Sequence, residues 1–194
     1  MKTYQETINR PRLLIQHAEY TQSPREWSNL GYFFTKDSRY NSPDGTDDPL
    51  YEIMLEAEQG ANSAEEHMSL MKKMAKKQGI KIIAIFPVVK YEHGMVNYKL
   101  GIIHGFDYSN NGFYIITKES QEELGISKKD FIKTIEQELE VYNQYANGQV
   151  YEFILYNEKG EQEDACTGFY EIDEIKDHLP DEWQNEKMSE YCID

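Results

Sequence analysis

The chain has 194 residues, 20 Lys+Arg against 35 Asp+Glu, a formal net charge of −15 and an apolar share of 39%. That length suits one domain of ordinary to large size, and 15 Tyr, 8 Phe and 2 Trp exclude a disordered chain because their burial supports a core without disulfide staples. The charge argues against binding nucleic-acid phosphates or anionic lipid, and no run approaches the ~18–20 apolar residues of a membrane span.

Leu13 to His17 reads as a strand, followed by a loop, Thr21 to Trp27, and a second strand, Gly31 to Thr35. Asn41 to Pro49 is dense in turn formers and predicts a long loop. A helical turn or two is expected within Tyr51 to Glu58. Ser63 with Glu66 forms a capping box for a clear helix, with Glu65 and Glu66 in its first turn, Lys72, Lys73, Lys76 and Lys77 in its last, and Gly79 beyond. Ile80 to Tyr91 and Met95 to His104 predict a hairpin turning at Glu92-His93-Gly94. Ser109-Asn110-Asn111-Gly112 predicts a second turn, between Phe106 to Tyr108 and Phe113 to Thr117. A short helix, Glu119 to Leu124, precedes the longest one, Lys128 to Ala146, capped by Ser127 with a core stripe of Phe131, Ile132, Ile135, Leu139 and Tyr142. Val150 to Tyr156 and Glu161 to Tyr170 predict a last hairpin, and Ile172 to Leu179 a short acidic helix ended by Pro180.

This order has no regular βαβ alternation. It predicts an α+β fold, an antiparallel sheet of hairpins covered on one face by two main helices. Residues 1–180 are expected to form one domain and residues 181–194 an acidic C-terminal tail, frayed or loosely docked around Trp183. Two cysteines, Cys166 and Cys192, are too few for a secreted scaffold, and Met1 to Arg12 is a polar stretch without a signal sequence. A cytoplasmic protein is expected.

The excess charge is not spread evenly. Residues 1–99 hold 13 basic and 13 acidic side chains, residues 100–155 hold 4 and 9, and residues 156–194 hold 3 and 13. Such asymmetry points to a surface that faces something basic. Carboxylates on a rigid face imitate phosphates and can occupy a nucleic-acid site. Two stretches offer them: Glu136, Glu138 and Glu140 on the long helix, and the acids from Glu158 to Asp181. A merely solvated acidic surface is the alternative.

Signals for catalysis are weaker. His17, His67, His93, His104 and His178 share no metal-ligand spacing, and H-E-x-x-H, C-x-x-C and G-x-S-x-G are absent. Asp44, Asp47 and Asp48 put three carboxylates in one loop, either a hard-cation site or a turn. His104 beside Asp107 could act as an oriented general base with Cys166 as nucleophile; otherwise His104 is a sheet residue and Cys166 a small core hydrophobe. Trp27 either plugs the core or anchors a partner, and the plug is the expectation.

Ser23 to Gly31 (S-P-R-E-W-S-N-L-G) resembles the S-P-R-E-W-x-N-L-G signature of a family of small phage and mobile-element proteins. Asn111 to Glu119 is similar to that family's G-F-I-Y-V-T-K-E strand, Tyr142 to Tyr145 with Gly148 to Tyr151 to its Y-D-Q-Y-L-x-G-D-V-Y stretch, and Asp164 to Tyr170 to its C-W-G-F-Y strand. The matches run in order over most of the chain. The family's D-H-S-G and S-C-P-W-D-S-G elements are reduced here to His104-Gly105-Phe106-Asp107-Tyr108, and it supplies no catalytic residues to carry over. The resemblance implies a phage or mobile-element origin and action on host machinery.

Together these readings predict an acidic binding protein, not an enzyme, that blocks a host nucleic-acid-handling or defence protein in the host cytoplasm. It would bind neither nucleic acid nor membrane and would need no cofactor or metal. The expected binding residues are Glu136, Glu140, Glu171, Asp173, Glu174 and Asp177, with Tyr170 as an anchor. The alternatives are a small hydrolase-like or metal-dependent enzyme using His104, Asp107 and Cys166 or the Asp44 to Asp48 loop, and a self-associating accessory protein.

Overall fold

A computed structural model describes residues 12–193. The polar N-terminal stretch considered above lies, but for Arg12, outside the described residues, as does Asp194. In chain order the elements are β1 (Arg12–His17), β2 (Tyr32–Thr35), α1 (Pro49–Gln59), α2 (Ala64–Lys77), β3 (Ile82–His93), β4 (Met95–Leu100), β5 (Tyr108–Thr117), α3 (Lys118–Leu124), α4 (Phe131–Ala146), β6 (Tyr151–Tyr156) and β7 (Gln162–Phe169). The fold is α+β, with two antiparallel sheets where the sequence predicts one.

Two compact units share the chain. The inserted unit is Pro24–Asn143; the terminal unit joins the chain through Ser23 to the chain from Gln144. β1 therefore finds its partner far along the sequence, with Leu13 opposite Leu155 and Ile15 opposite Phe153. β6 also pairs β7, giving the order β1-β6-β7. Alternation directs Leu13, Ile15, Phe153 and Leu155 to one side of the sheet. There they pack with Phe169, Ile175, Leu179, Trp183 and Met188. Trp183 and Met188 are buried, so the segment expected as frayed or docked around Trp183 is docked there and completes this core. Two large apolar side chains within six residues supply the burial that holds it.

In the inserted unit the strand order is β2-β5-β3-β4. β3 and β4 form the expected hairpin, turning at Gly94 with φ 78°. The chain then passes β3 to reach β5 on its other side, so the strands are not a simple meander. The turn expected at Ser109-Asn110-Asn111-Gly112 is absent, because β5 continues through it, with an irregularity in its pairing to β3 between Gly112 and Ser109. Gly112 serves close approach instead. A Cβ there would stand 3.2 Å from the carbonyl oxygens of Phe34 and Val88 and 3.1 Å from Thr35 Cγ2. The asparagines satisfy backbone groups sideways: Asn110 brackets the amide and carbonyl of Ile103 at 3.0 and 2.9 Å, and Asn111 Nδ2 donates to Lys36 O at 2.5 Å.

Helices cover both faces of this sheet, where the sequence reading places two on one. Phe34, Ile85, Phe113 and Ile115 meet α1 and α2 through Leu50, Ile53, Met54, Ala57, Met71 and Ala75. Phe33 faces the other way and meets Tyr98 and Tyr142 edge-on at 5.1 and 5.5 Å, which brings α4 to the opposite side. α2 keeps half of the expected capping box: Ser63 Oγ accepts from Glu66 N at 3.1 Å, but the Glu66 carboxylate accepts from Asn62 N at 2.8 Å instead of from Ser63 N. On α4, Phe131, Ile135, Leu139 and Tyr142 are buried, but Ile132 is 53% exposed and leaves the expected stripe.

Candidate functional site: an acidic surface on the terminal unit

The predicted short helix is a 3-10 segment, Ile172–His178. With three residues per turn, Ile172, Ile175 and His178 align. Ile175 is fully buried and the His178 ring stands edge-on to Phe169 at 5.0 Å. That fixes the outward direction of Asp173, Glu174 and Asp177, which are exposed with Glu171 just ahead of them. At the β6–β7 turn, Asn157 Oδ1 accepts from Lys159 N and Glu161 N at 2.9 and 3.0 Å, ordering the backbone beneath Glu158 and Glu161. From Glu158 to Glu190 the terminal unit carries twelve acidic side chains, and all twelve are exposed. Among the described residues none of them forms an ion pair, although Lys159, Lys176 and Lys187 lie in the same segment.

Tyr170 differs from an open anchor. It is half-buried, its hydroxyl oxygen is shielded from solvent, and burial together with the neighbouring Tyr145 pushes its pKa up to about 12. Glu136 and Glu140 are exposed one turn apart on α4, within the inserted unit. The seven expected binding residues thus fall in both units, five of them in the terminal one. Glu138 leaves the acidic surface: two residues along a helix is a rotation of about 200°, and its carboxylate turns inward.

There it joins the S-P-R-E-W-S-N-L-G segment, which forms a buried clamp. The Arg25 side chain is 3% exposed. Its Nε and Nη2 donate to the two Asp44 oxygens at 2.8 Å, Nη1 to Asn29 Oδ1 and Glu138 Oε2 at 3.0 Å, and Nη2 to Gly31 O at 2.6 Å. Glu138 Oε1 accepts from Leu30 N at 2.8 Å, and its Oε2 also takes the Tyr114 hydroxyl. Burial alone would lower the Arg25 pKa; the Asp44 hydrogen bond and the surrounding charges outweigh it, and the net shift is upward. Burial also raises the Tyr114 pKa. Every donor direction of the guanidinium is used, so this segment locks the fold. No periodic signal reveals it, because a buried Arg follows its partners rather than a hydrophobic stripe. Trp27, expected as a core plug, is 49% exposed.

The enzyme candidates are spread over both units. His104 is exposed in the crossing between β4 and β5. Asp107 Oδ2 lies 3.6 Å from His93 Nδ1 instead. Cys166 belongs to the other unit and is exposed in β7, neither beside His104 in one unit nor a core hydrophobe. In the loop, Asp44 is taken by Arg25 and Asp48 caps α1 by accepting from Leu50 N at 2.7 Å. Among the described residues no group of three His, Cys, Asp or Glu side chains could hold a metal ion. The inserted unit also holds a cavity of about 290 Å3 beside His67, which sequence reading had not singled out. His67 Nε2 pairs with Met54 O at 2.7 Å and the ring stands edge-on to Phe113. Among the described residues no helix is long and apolar enough to cross a membrane. Comparison with family models, curated proteins and solved structures finds no match.

Proposed function

We propose that this chain is an acidic binding protein that occupies the basic, nucleic-acid-handling surface of a host protein and blocks it. One observation carries the reading: twelve exposed carboxylates between Glu158 and Glu190 have no counter-ion among the described residues. Concentrating like charge costs stability through self-repulsion, so an external cation offsets what the fold does not. A basic groove shaped for phosphates is such a surface, and Coulomb steering speeds the encounter. The phage or mobile-element origin implied by the resemblance supplies the host as the setting. Because the charges are exposed, binding is expected to weaken as salt rises.

The test is capture from host lysate at low and high salt, followed by an assay of the captured protein for nucleic-acid binding. The chain should compete with nucleic acid at low salt. A variant carrying Glu171→Gln, Asp173→Asn, Glu174→Gln and Asp177→Asn together should compete markedly less. Competition that is indifferent to both salt and these substitutions would overturn the reading.

A further inference from the structure

Four sheet edges occur in the described chain, and three are closed by its own groups. The outer edge of β1 carries the C-terminal segment, with Ile15 bridging Cys192 in parallel and Ile193 N donating to Ile15 O at 2.9 Å. On β2, Phe33 N donates to Asp44 Oδ2 at 2.5 Å and Thr35 N to Ser42 Oγ at 3.2 Å. On β4, Asn143 on α4 accepts from Tyr98 N at 2.7 Å and donates to Tyr98 O at 3.1 Å. β7 is the least closed: within its regular run the one backbone amide held by a side chain, among the described residues, is that of Ala165, by its neighbour Asp164. Its one strand neighbour is β6, and every residue from Gln162 to Gly168 is exposed, so neither face of the strand is covered.

Exposed edges are ordinarily blunted by Lys, Pro or a bulge. β7 contains neither Lys nor Pro. Its register shifts fall toward the strand's two ends and leave Asp164 to Thr167 in regular pairing with β6. That run is as long as β2, a strand of four residues that is fully paired in the other sheet. Its side chains are small beyond Asp164, so the backbone is approachable. Glu161, Glu163 and Asp164 lie at one end and Glu171, Asp173 and Glu174 just past the other. A second copy of this chain would bring the same acidic unit against itself.

We propose that β7 accepts an extended, basic segment of the partner protein, which adds to the terminal unit as a fourth strand. Main-chain hydrogen bonds along Asp164 to Thr167 would supply the register, and the flanking carboxylates would select Lys and Arg. Asp164 Oδ1 holds the Ala165 amide at 2.8 Å in the unbound chain and would exchange that bond for contact with an incoming cation. The proposal rests on the acidic-binding reading above and adds its geometry.

The test uses the full chain with two octapeptides of equal charge, one alternating Lys and Val, the other with Pro in place of each Val. Pro removes donors and cannot pair as a strand. The alternating peptide is expected to bind at least about tenfold more tightly at low salt and to slow amide exchange at Asp164 to Thr167. Equal binding without protection of β7 would overturn strand addition while leaving the acidic-binding reading intact. Failure of both peptides to bind would overturn both. A β7-protected homodimer in sedimentation, unaffected by the peptides, would overturn the basic occupant.

Discussion

The two units use charge in opposite ways. In the inserted unit the basic groups that enter the fold are matched: Arg25 by Asp44 and Glu138, and Lys90, also 3% exposed, by Asp37 and Glu92, with the Tyr40 ring 4.8 Å from its Nζ. In the terminal unit the acids from Glu158 to Glu190 are exposed and have no ionic partner among the described residues. Buried pairs must be satisfied or they destabilise strongly. Exposed like charges need no partner to fold and remain available for one. In the first unit charge is drawn into buried clamps, and in the second it stays at the surface.

This contrast can be broken most directly at Arg25. Arg25→Met leaves Asp44 and Glu138 without their cation, and a loss of about 3–5 kcal/mol is expected for the inserted unit. The chain has two tryptophans, and each unit has one, Trp27 and Trp183. Urea unfolding followed by Trp27 fluorescence in a Trp183→Phe background reads the inserted unit alone; a loss under about 1 kcal/mol would mean the clamp is dispensable. Gly31 tests the same region by shape. A Cβ at Gly31 would lie 2.3 Å from Ile115 O, so Gly31→Ala should cost about 1–3 kcal/mol by the same measurement.

A pH titration tests the charge cluster around Lys90 in the inserted unit. Around Lys90 burial works against ionisation, but the hydrogen bonds it donates to Asp37 and Glu92 raise its pKa above the ordinary 10.5. For Asp37 the Lys90 and Arg39 contacts likewise overcome burial and hold the carboxyl below 3.8, and the Lys90 hydrogen bond holds Glu92 below 4.5. Depressed carboxylates contribute stability that is complete above their ordinary pKa and lost as pH falls through the lowered value. A raised lysine contributes stability that is complete below 10.5 and lost as pH rises through its higher value. Thermal unfolding seen by Trp27 should therefore weaken at both extremes, and Lys90→Met should reduce the alkaline limb, to which the buried Tyr114 and Tyr98, whose pKa values burial raises, also contribute. A Trp27 signal that keeps its full stability at both extremes would mean that the cluster adds nothing to the fold.

The smallest stability effect is expected where the binding effect is largest. Neutralising Glu171, Asp173, Glu174 and Asp177 should leave urea stability of the terminal unit within about 0.5 kcal/mol per site, or raise it. Measured beside partner binding, a large destabilisation would show that these acids hold the fold after all.

Local chemistry was legible where the signal is local. The Ser63 cap, the Gly94 turn and the β6–β7 hairpin all follow from residues within a few positions of one another. Glu138 was also readable, since its rotation relative to Glu136 and Glu140 follows from the helical period; grouping the three by spacing alone hid it. Asn110 to Gly112 misled because Asn-Gly tolerates a turn without requiring one, and here the tight strand spacing needs a residue lacking a side chain. The pairing of β1 with β6 left no trace in either segment, because both alternate as any half-buried strand does. The open edge of β7 was equally hidden, for it depends on what the other elements fail to cover.

The split of the terminal unit around its insertion has a kinetic consequence. During synthesis β1 emerges early, but its partner β6 follows the whole of Pro24–Asn143. The inserted segment, continuous along the chain, can collapse on its own first, and in doing so shortens the gap that separates the two strands. Until β6 appears, Leu13 and Ile15 have nothing to cover them, which makes the nascent chain most vulnerable to misassembly in that interval.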